Sequence, residues 1–185
     1  MAVPVAVLDA NVLFPASLRD TLLRAASAGL YQLHWSDEIL DELYRNLIGK
    51  KGMAPEKARR LVDTMLRYFD DANVQDYEAL IDRMTNDPKD RHVLAAAVHI
   101  GANIVVTSNL SDFLPVALAP YGIKAQSPDA FLTDLFDADS QRVASIIVEQ
   151  AADLKNPPKT PQQTLDTLAQ HAPEFAELVR GTLEQ

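Results

Sequence analysis

The stretch Val3-Pro4-Val5-Ala6-Val7-Leu8-Asp9 constrains this chain most: a short apolar run that does not alternate and stops on an acid. A strand with one face in water would alternate apolar and polar residues. A continuous run instead predicts a strand buried on both faces, as in a parallel sheet covered by helices. Pro4 is tolerable because it stands at the start of the strand. Ile104-Val105-Val106 repeats the pattern, and residues 30–35 and 123–126 read as two more short strands. Segments of helical spacing lie between them. Ser17 is expected to cap the first, with Leu18, Leu22, Leu23 and Ala26 as its stripe and Gly29 as its stop. Ser36 caps the second, with Asp37 and Glu38 in the first turn, where the helix dipole favours them, and Ile39, Leu40, Leu43 and Leu47 facing inward. A basic amphipathic helix follows over about 55–69. Asp87-Pro88 opens the next helix with Asp87 at N-cap, Pro88 at N1 and Asp90 at N3, and Gly101 ends it.

This alternation predicts an α/β fold with a parallel central sheet and helices on both faces. Residues 137–185 differ in character: helical patterns surround the proline-rich break Asn156-Pro157-Pro158-Lys159-Thr160-Pro161. They read as a helical C-terminal extension, so the expected division is 1–136 and 137–185. A chain of 185 residues suits one domain with a small appendage, and 48% hydrophobic residues suffice for a core.

The chain has no cysteine, which excludes disulfides, thiolate zinc sites and a cysteine nucleophile. No apolar run approaches the roughly 18–20 residues that span a bilayer, and Met1 to Leu8 lacks the layout of a signal peptide. A cytoplasmic protein without a membrane partner is expected. The formal net charge of −9 argues against a general nucleic-acid coat, whose basic surface supplies its affinity. It leaves room for a nuclease whose acids hold cations.

In open α/β sheets, ligands bind beyond the carboxyl ends of the strands. Asp9 ends the first strand there, and Asp112 lies just past Ile104-Val105-Val106 and Thr107-Ser108-Asn109. Asp90 lies in the first turn of the helix feeding that strand. A helix antiparallel to the strands is expected to begin at the opposite edge, so Asp90 joins the group only if its helix start folds over the top. Glu42 sits one turn into the helix after the second strand. Carboxylates with a polar neighbour such as Asn11 suit Mg²⁺ or Mn²⁺, which take oxygen ligands and keep several waters. Without a cation, four converging carboxylates would repel one another. With one, a water can be activated against a phosphoryl group, so phosphodiester chemistry is favoured over simple proton transfer.

These residues resemble the PIN domain, in the branch typified by toxins of VapBC toxin–antitoxin systems. The resemblance rests on Val7-Leu8-Asp9-Ala10-Asn11-Val12-Leu13-Phe14, on Ser36-Asp37-Glu38-Ile39-Leu40-Asp41-Glu42-Leu43, on Asp87-Pro88-Lys89-Asp90-Arg91-His92-Val93-Leu94-Ala95-Ala96-Ala97, and on Thr107-Ser108-Asn109-Leu110-Ser111-Asp112-Phe113. It covers about residues 3–132. It implies a three-layer α/β/α fold and RNA cleavage with Mg²⁺ or Mn²⁺. It also implies a catalytic set of Asp9, Glu42, Asp90 and Asp112, with Asp9, Asp90 and Asp112 as metal ligands and Asn11, Asp87, Ser108 and Asn109 in support. An RNA substrate (structured RNA such as tRNA), a cognate antitoxin and a homodimer follow from it as expectations. About 50 residues extend beyond the usual length of such toxins.

Two other readings compete. A haloacid-dehalogenase-like phosphatase would use Asp9 as a covalent nucleophile, but its second aspartate, the general acid, is Asn11 here. A non-catalytic PIN-like module would bind partners only, yet all four acidic positions are intact. Lys50, Lys51, Lys57, Arg59, Arg60 and Arg67 form the clearest basic stretch, with Lys57, Arg59 and Arg60 as candidate RNA-backbone contacts. His92 is expected on a helix surface, and Tyr31 and Trp35 in the core.

Overall fold

The apolar runs become the strands of one sheet. The elements in chain order are β1 (Val5–Leu8), α1 (Ala10–Leu13), α2 (Ala16–Ser27), β2 (Gln32–Ser36), α3 (Asp37–Gly49), α4 (Pro55–Tyr68), β3 (Asn73–Val74), α5 (Glu78–Ile81), α6 (Arg91–His99), β4 (Ile104–Val106), α7 (Pro115–Leu118), β5 (Lys124–Gln126), α8 (Pro128–Ala138), α9 (Ser140–Asp153), α10 (Pro161–Leu168) and α11 (Pro173–Leu183). The computed structural model describes residues 3–184; Met1, Ala2 and Gln185, the outer ends of the two expected segments, lie outside the described residues.

The sheet order is β3-β2-β1-β4-β5, and every neighbouring pair is parallel. Ala6, Val7, Leu8, Val105 and Val106 are fully buried, which is why neither central strand alternates. The chain runs outward from β1 to β3, then returns to β4 beside β1 and continues to β5. Because parallel crossovers are right-handed, this reversal also changes the face on which the connecting helices lie. The helices between β1 and β3 cover one face and α6, between β3 and β4, covers the other, which makes three α/β/α layers; α9 and α10 return to the first face against α2. β1 and β4 flank the point of reversal, where the crossovers diverge and leave a crevice at the carboxyl edge.

Two local expectations change. The irregular stretch after α4 contains β3, an edge strand of two residues joined to β2 through Trp35 and Asn73, too short to leave an apolar signature. Helix α2 begins at Ala16 behind Pro15, with no side-chain cap, so Ser17 is not its N-cap. The Ser17 carbonyl instead accepts from the Gln150 side-chain amide, 3.0 Å away. Tyr31 and Trp35 are buried as expected.

The C-terminal helices share the core. α9 and α10 pack on α2, while α11 packs on α8 and α9. Leu165, Leu168, Phe175 and Val179 are fully buried there. Asp129 of α8 caps α11 from 45 residues away, accepting the backbone N–H groups of Glu174 (3.2 Å) and Phe175 (2.9 Å).

Candidate active site

Asp9 is the first residue beyond β1, and its backbone N–H donates to Val106 of β4 at 3.0 Å. This bond carries the β1–β4 ladder one step further and sets Asp9 beside Thr107, the first residue beyond β4. The side chain is 2% exposed, and both oxygens are engaged. Oδ1 accepts the Ala10 N–H at 2.7 Å, capping α1, and Oδ2 accepts from the Asn11 amide at 2.7 Å and the Thr107 hydroxyl at 2.8 Å. Asn11 is held in turn, its Oδ1 accepting the Ser108 N–H at 2.9 Å, while Thr107 Oγ1 accepts the Asn109 N–H at 3.0 Å. Burial raises the Asp9 pKa above the ordinary carboxylate value, the Thr107 hydroxyl opposes it, and the nearby charge of Glu42 raises it again.

Asp90 comes from a different element. Residues Pro88–Asp90 form one 3₁₀ turn, capped by Asp87, whose Oδ1 accepts the Lys89 N–H at 3.1 Å. The Asp87 N–H donates to the Asp112 carbonyl at 3.2 Å, which ties this turn to the 3₁₀ turn Leu110–Asp112 after β4. No fold-over is needed. A helix running antiparallel to the strands starts at their carboxyl edge, so the residues before α6 reach the site directly, contrary to the expectation from sequence. Asp90 is 7% exposed, and its buried Oδ2 has no hydrogen-bond partner. Burial first, then the charge of Asp9, then a proton-sharing contact with Asp112 push its pKa up to about 7. The ammonium of Lys89 lies 3.1 Å from Asp112 Oδ2 and 4.0 Å from Asp90 Oδ2, and Asp112 above all raises its pKa.

Asp9, Asn11, Glu42, Asp90 and Asn109 line one cavity of about 490 Å³. Asp112 reaches the group through Lys89 and Asp90. Among the supporting residues, Asp87 caps the turn that carries Asp90, while Ser108 and Asn109 contribute backbone N–H groups. Lys57, Arg59 and Arg60 are exposed on α4 and do not line this cavity. The Arg59 guanidinium stacks 4.2 Å over the Tyr44 ring, beside a second groove that shares Glu38 and Arg45 with the first.

Several site residues escaped the sequence reading. Thr107 is the buried hydroxyl that orients Asp9, and only its place directly after an apolar strand hinted at it. Arg45 brings positive charge to the cavity wall, beside Lys50 of the basic stretch already read from the sequence. His92 is not a surface residue. It is 6% exposed and lines the cavity, with Nδ1 3.8 Å from Glu38 Oε2, because α6 lies between sheet and solvent and turns this position toward the crevice.

The donor chemistry fits a hard divalent cation: the groups are oxygens, and one buried carboxylate oxygen lacks a partner. Among the described residues no three acidic or histidine side chains form a ready cage.

Two family descriptions match the chain: PIN domain over residues 5–111, and VapC50 C-terminal domain over residues 128–181. The first match takes in Asp9, Glu42 and Asp90 and stops one residue before Asp112; the second begins with α8. A curated protein of Mycobacterium tuberculosis (strain ATCC 25618 / H37Rv), named "Putative ribonuclease VapC50", is 44% identical over 104 residues, 56% of this chain and 62% of that protein. The chain thus covers less than two thirds of that relative's length. No solved structure matches.

Proposed function

This chain belongs to the PIN-domain family, and from that premise we propose that it is a Mg²⁺- or Mn²⁺-dependent endoribonuclease, the toxin of a type II toxin–antitoxin pair. The observation that carries this reading is the crevice between β1 and β4, where buried carboxylates from separate elements face one another and one oxygen has no partner. Carboxylates so placed repel, and burial adds to the cost; a bound dication relieves both. Asp9, Asp90 and Asp112 are the proposed ligands, and Glu42 completes the catalytic set. When bound, the ion would supply an activated water and offset the charge that builds on the phosphate.

The chain's own contribution is placement. Thr107 and Asn11 fix the Asp9 carboxylate by donating to one oxygen, and the Asp87 cap sets the turn that presents Asp90. Arg45 and Lys50 stand where a backbone phosphate would enter, and Lys57, Arg59 and Arg60 are proposed outer contacts along α4. A phosphatase reading finds no support, because Asn11 has its amide nitrogen on Asp9 and its oxygen on the Ser108 N–H, and an amide cannot act as the general acid.

The name of the related protein supports RNA as the substrate class, and a structured RNA such as tRNA is the proposed target. A cognate antitoxin, a homodimer and a cytoplasmic location complete the proposal. No helix among the described residues is long and apolar enough to cross a membrane. Residues 1–136 are assigned to the nuclease unit and 137–185 to the extension.

The test is cleavage of total cellular RNA by purified wild-type, Asp9→Asn and Asp90→Asn protein, with Mg²⁺, with Mn²⁺ and with chelator. Discrete fragments are expected from wild type with metal only. Each variant should lose more than the roughly 10–100-fold that removal of a merely supporting group costs. Cleavage that persists in chelator, or in folded Asp9→Asn protein, would sink the assignment.

A further inference from the structure

Among the described residues, Lys89 is the one cation that forms ion pairs with both Asp90 and Asp112. Its ammonium is 3.1 Å from Asp112 Oδ2 and 4.0 Å from Asp90 Oδ2. The two carboxylates differ from the lysine in freedom. The Asp90 and Asp112 side chains are 9% and 16% exposed and sit on 3₁₀ turns tied together through the backbone, whereas the Lys89 side chain is 65% exposed on a long flexible stem. Asp90 Oδ2 makes no hydrogen bond even with this cation nearby. The acids are therefore fixed and the lysine can leave, since an ion pair with a solvent-exposed lysine is weak and screened by water.

We propose that Lys89 is a displaceable internal counter-ion that competes with the divalent cation for Asp90 and Asp112. A dication bound to Asp112 Oδ2 and the ammonium cannot share that oxygen without close like-charge contact, so metal entry drives the lysine out into the crevice. Lys89 thereby keeps the acidic pair neutralised in the metal-free protein and sets a ceiling on metal affinity. This rests on the metal-site reading given above.

The experiment is calorimetric titration of the full chain with Mn²⁺, comparing wild type, Lys89→Met and Lys89→Arg. Lys50→Met serves as a control, since Lys50 lines the same cavity but makes no ion pair within 4.0 Å among the described residues. Methionine keeps the length of the stem and removes the charge. Lys89→Met should bind Mn²⁺ roughly twofold to fivefold more tightly, the factor that corresponds to an exposed ion pair. The metal-free variant should melt lower than wild type. Lys89→Arg should stay near wild type, and Lys50→Met should tighten binding less than Lys89→Met. Unchanged or weaker binding by Lys89→Met overturns the proposal while leaving the metal site standing. Equal tightening by Lys50→Met overturns it as well, because long-range charge would then account for the effect. Absence of Mn²⁺ binding in all four proteins overturns both the proposal and the metal-site reading.

Discussion

The crevice at the carboxyl edge and the seam between α2 and the C-terminal helices are both buried and both polar, yet they are built in opposite ways. At the seam the most buried polar side chains of the facing helices pair with each other. Gln150, 2% exposed, donates to the Ser17 carbonyl and accepts from the Thr21 hydroxyl at 2.7 Å, and Arg24 bridges to Asp153 at 2.9 Å. Asp129 takes two backbone N–H groups at the start of α11. In the crevice, carboxylates face carboxylates, and Asp90 is left with an unmatched oxygen and a pKa raised to about 7. Satisfied polar burial holds elements together, whereas unsatisfied polar burial is unfavourable and persists where something else selects for it. The difference sets a structural junction apart from the candidate site.

Four experiments would break or sharpen this contrast. The largest effect is expected from Phe175→Ala, which empties a fully buried position between α11 and α8. It should lower stability by about 3–5 kcal/mol, in one calorimetric transition for the whole chain. If α11 melts separately while the rest keeps its Tm, the seam is a docking surface and not part of a shared core.

Asp90→Asn probes the opposite kind of burial. The folded protein holds the Asp90 proton up to about pH 7, while the unfolded chain releases it near the ordinary value of 3.8. The stability tied to this group is therefore complete below about pH 4 and is lost as pH rises through 7. In chelator, the variant should gain stability relative to wild type as pH rises from about 4 to 7, as read from thermal melts. A wild-type melting temperature that tracks the variant's across this range would mean that Asp90 is not under strain.

Thr107→Val keeps the shape and removes the hydroxyl that holds the Asp9 pKa down. The acid limb of the pH–rate profile should move to higher pH, with a stability loss of about 1 kcal/mol. An unmoved limb would detach Thr107 from the chemistry. Asp129→Ala should have the smallest effect, costing about 1 kcal/mol through loss of the α11 cap and speeding amide exchange at Glu174 and Phe175. RNA cleavage should not change, and a clear drop would show that the extension does more than support α2 and α8.

The fold was largely legible because its signal is local. Runs such as Val5-Ala6-Val7-Leu8 and Ile104-Val105-Val106 state that two strands are covered on both faces, and apolar spacing marks the longer helices. β3 was missed because two residues carry no period. Asp9, Asp90 and Glu42 were legible as candidates because acids at strand ends and helix starts stand out against apolar runs. Thr107, His92, Arg45 and the partnering of Lys89 were not, since each has an ordinary side chain whose meaning depends on what lies across the crevice.

By itself the sequence determined the alternation of strands and helices, the absence of thiol chemistry and the supply of carboxylates. Those properties follow from residue types and spacings along one line of chain. Tertiary structure decided which of them meet. The β3-β2-β1-β4-β5 order sets Asp9 beside Thr107, and a bond from Asp87 to Asp112 joins two turns 25 positions apart. Burial that leaves Asp90 without a partner arises only when separate elements close around it, because desolvation and charge repulsion depend on distance in space, not on separation in sequence.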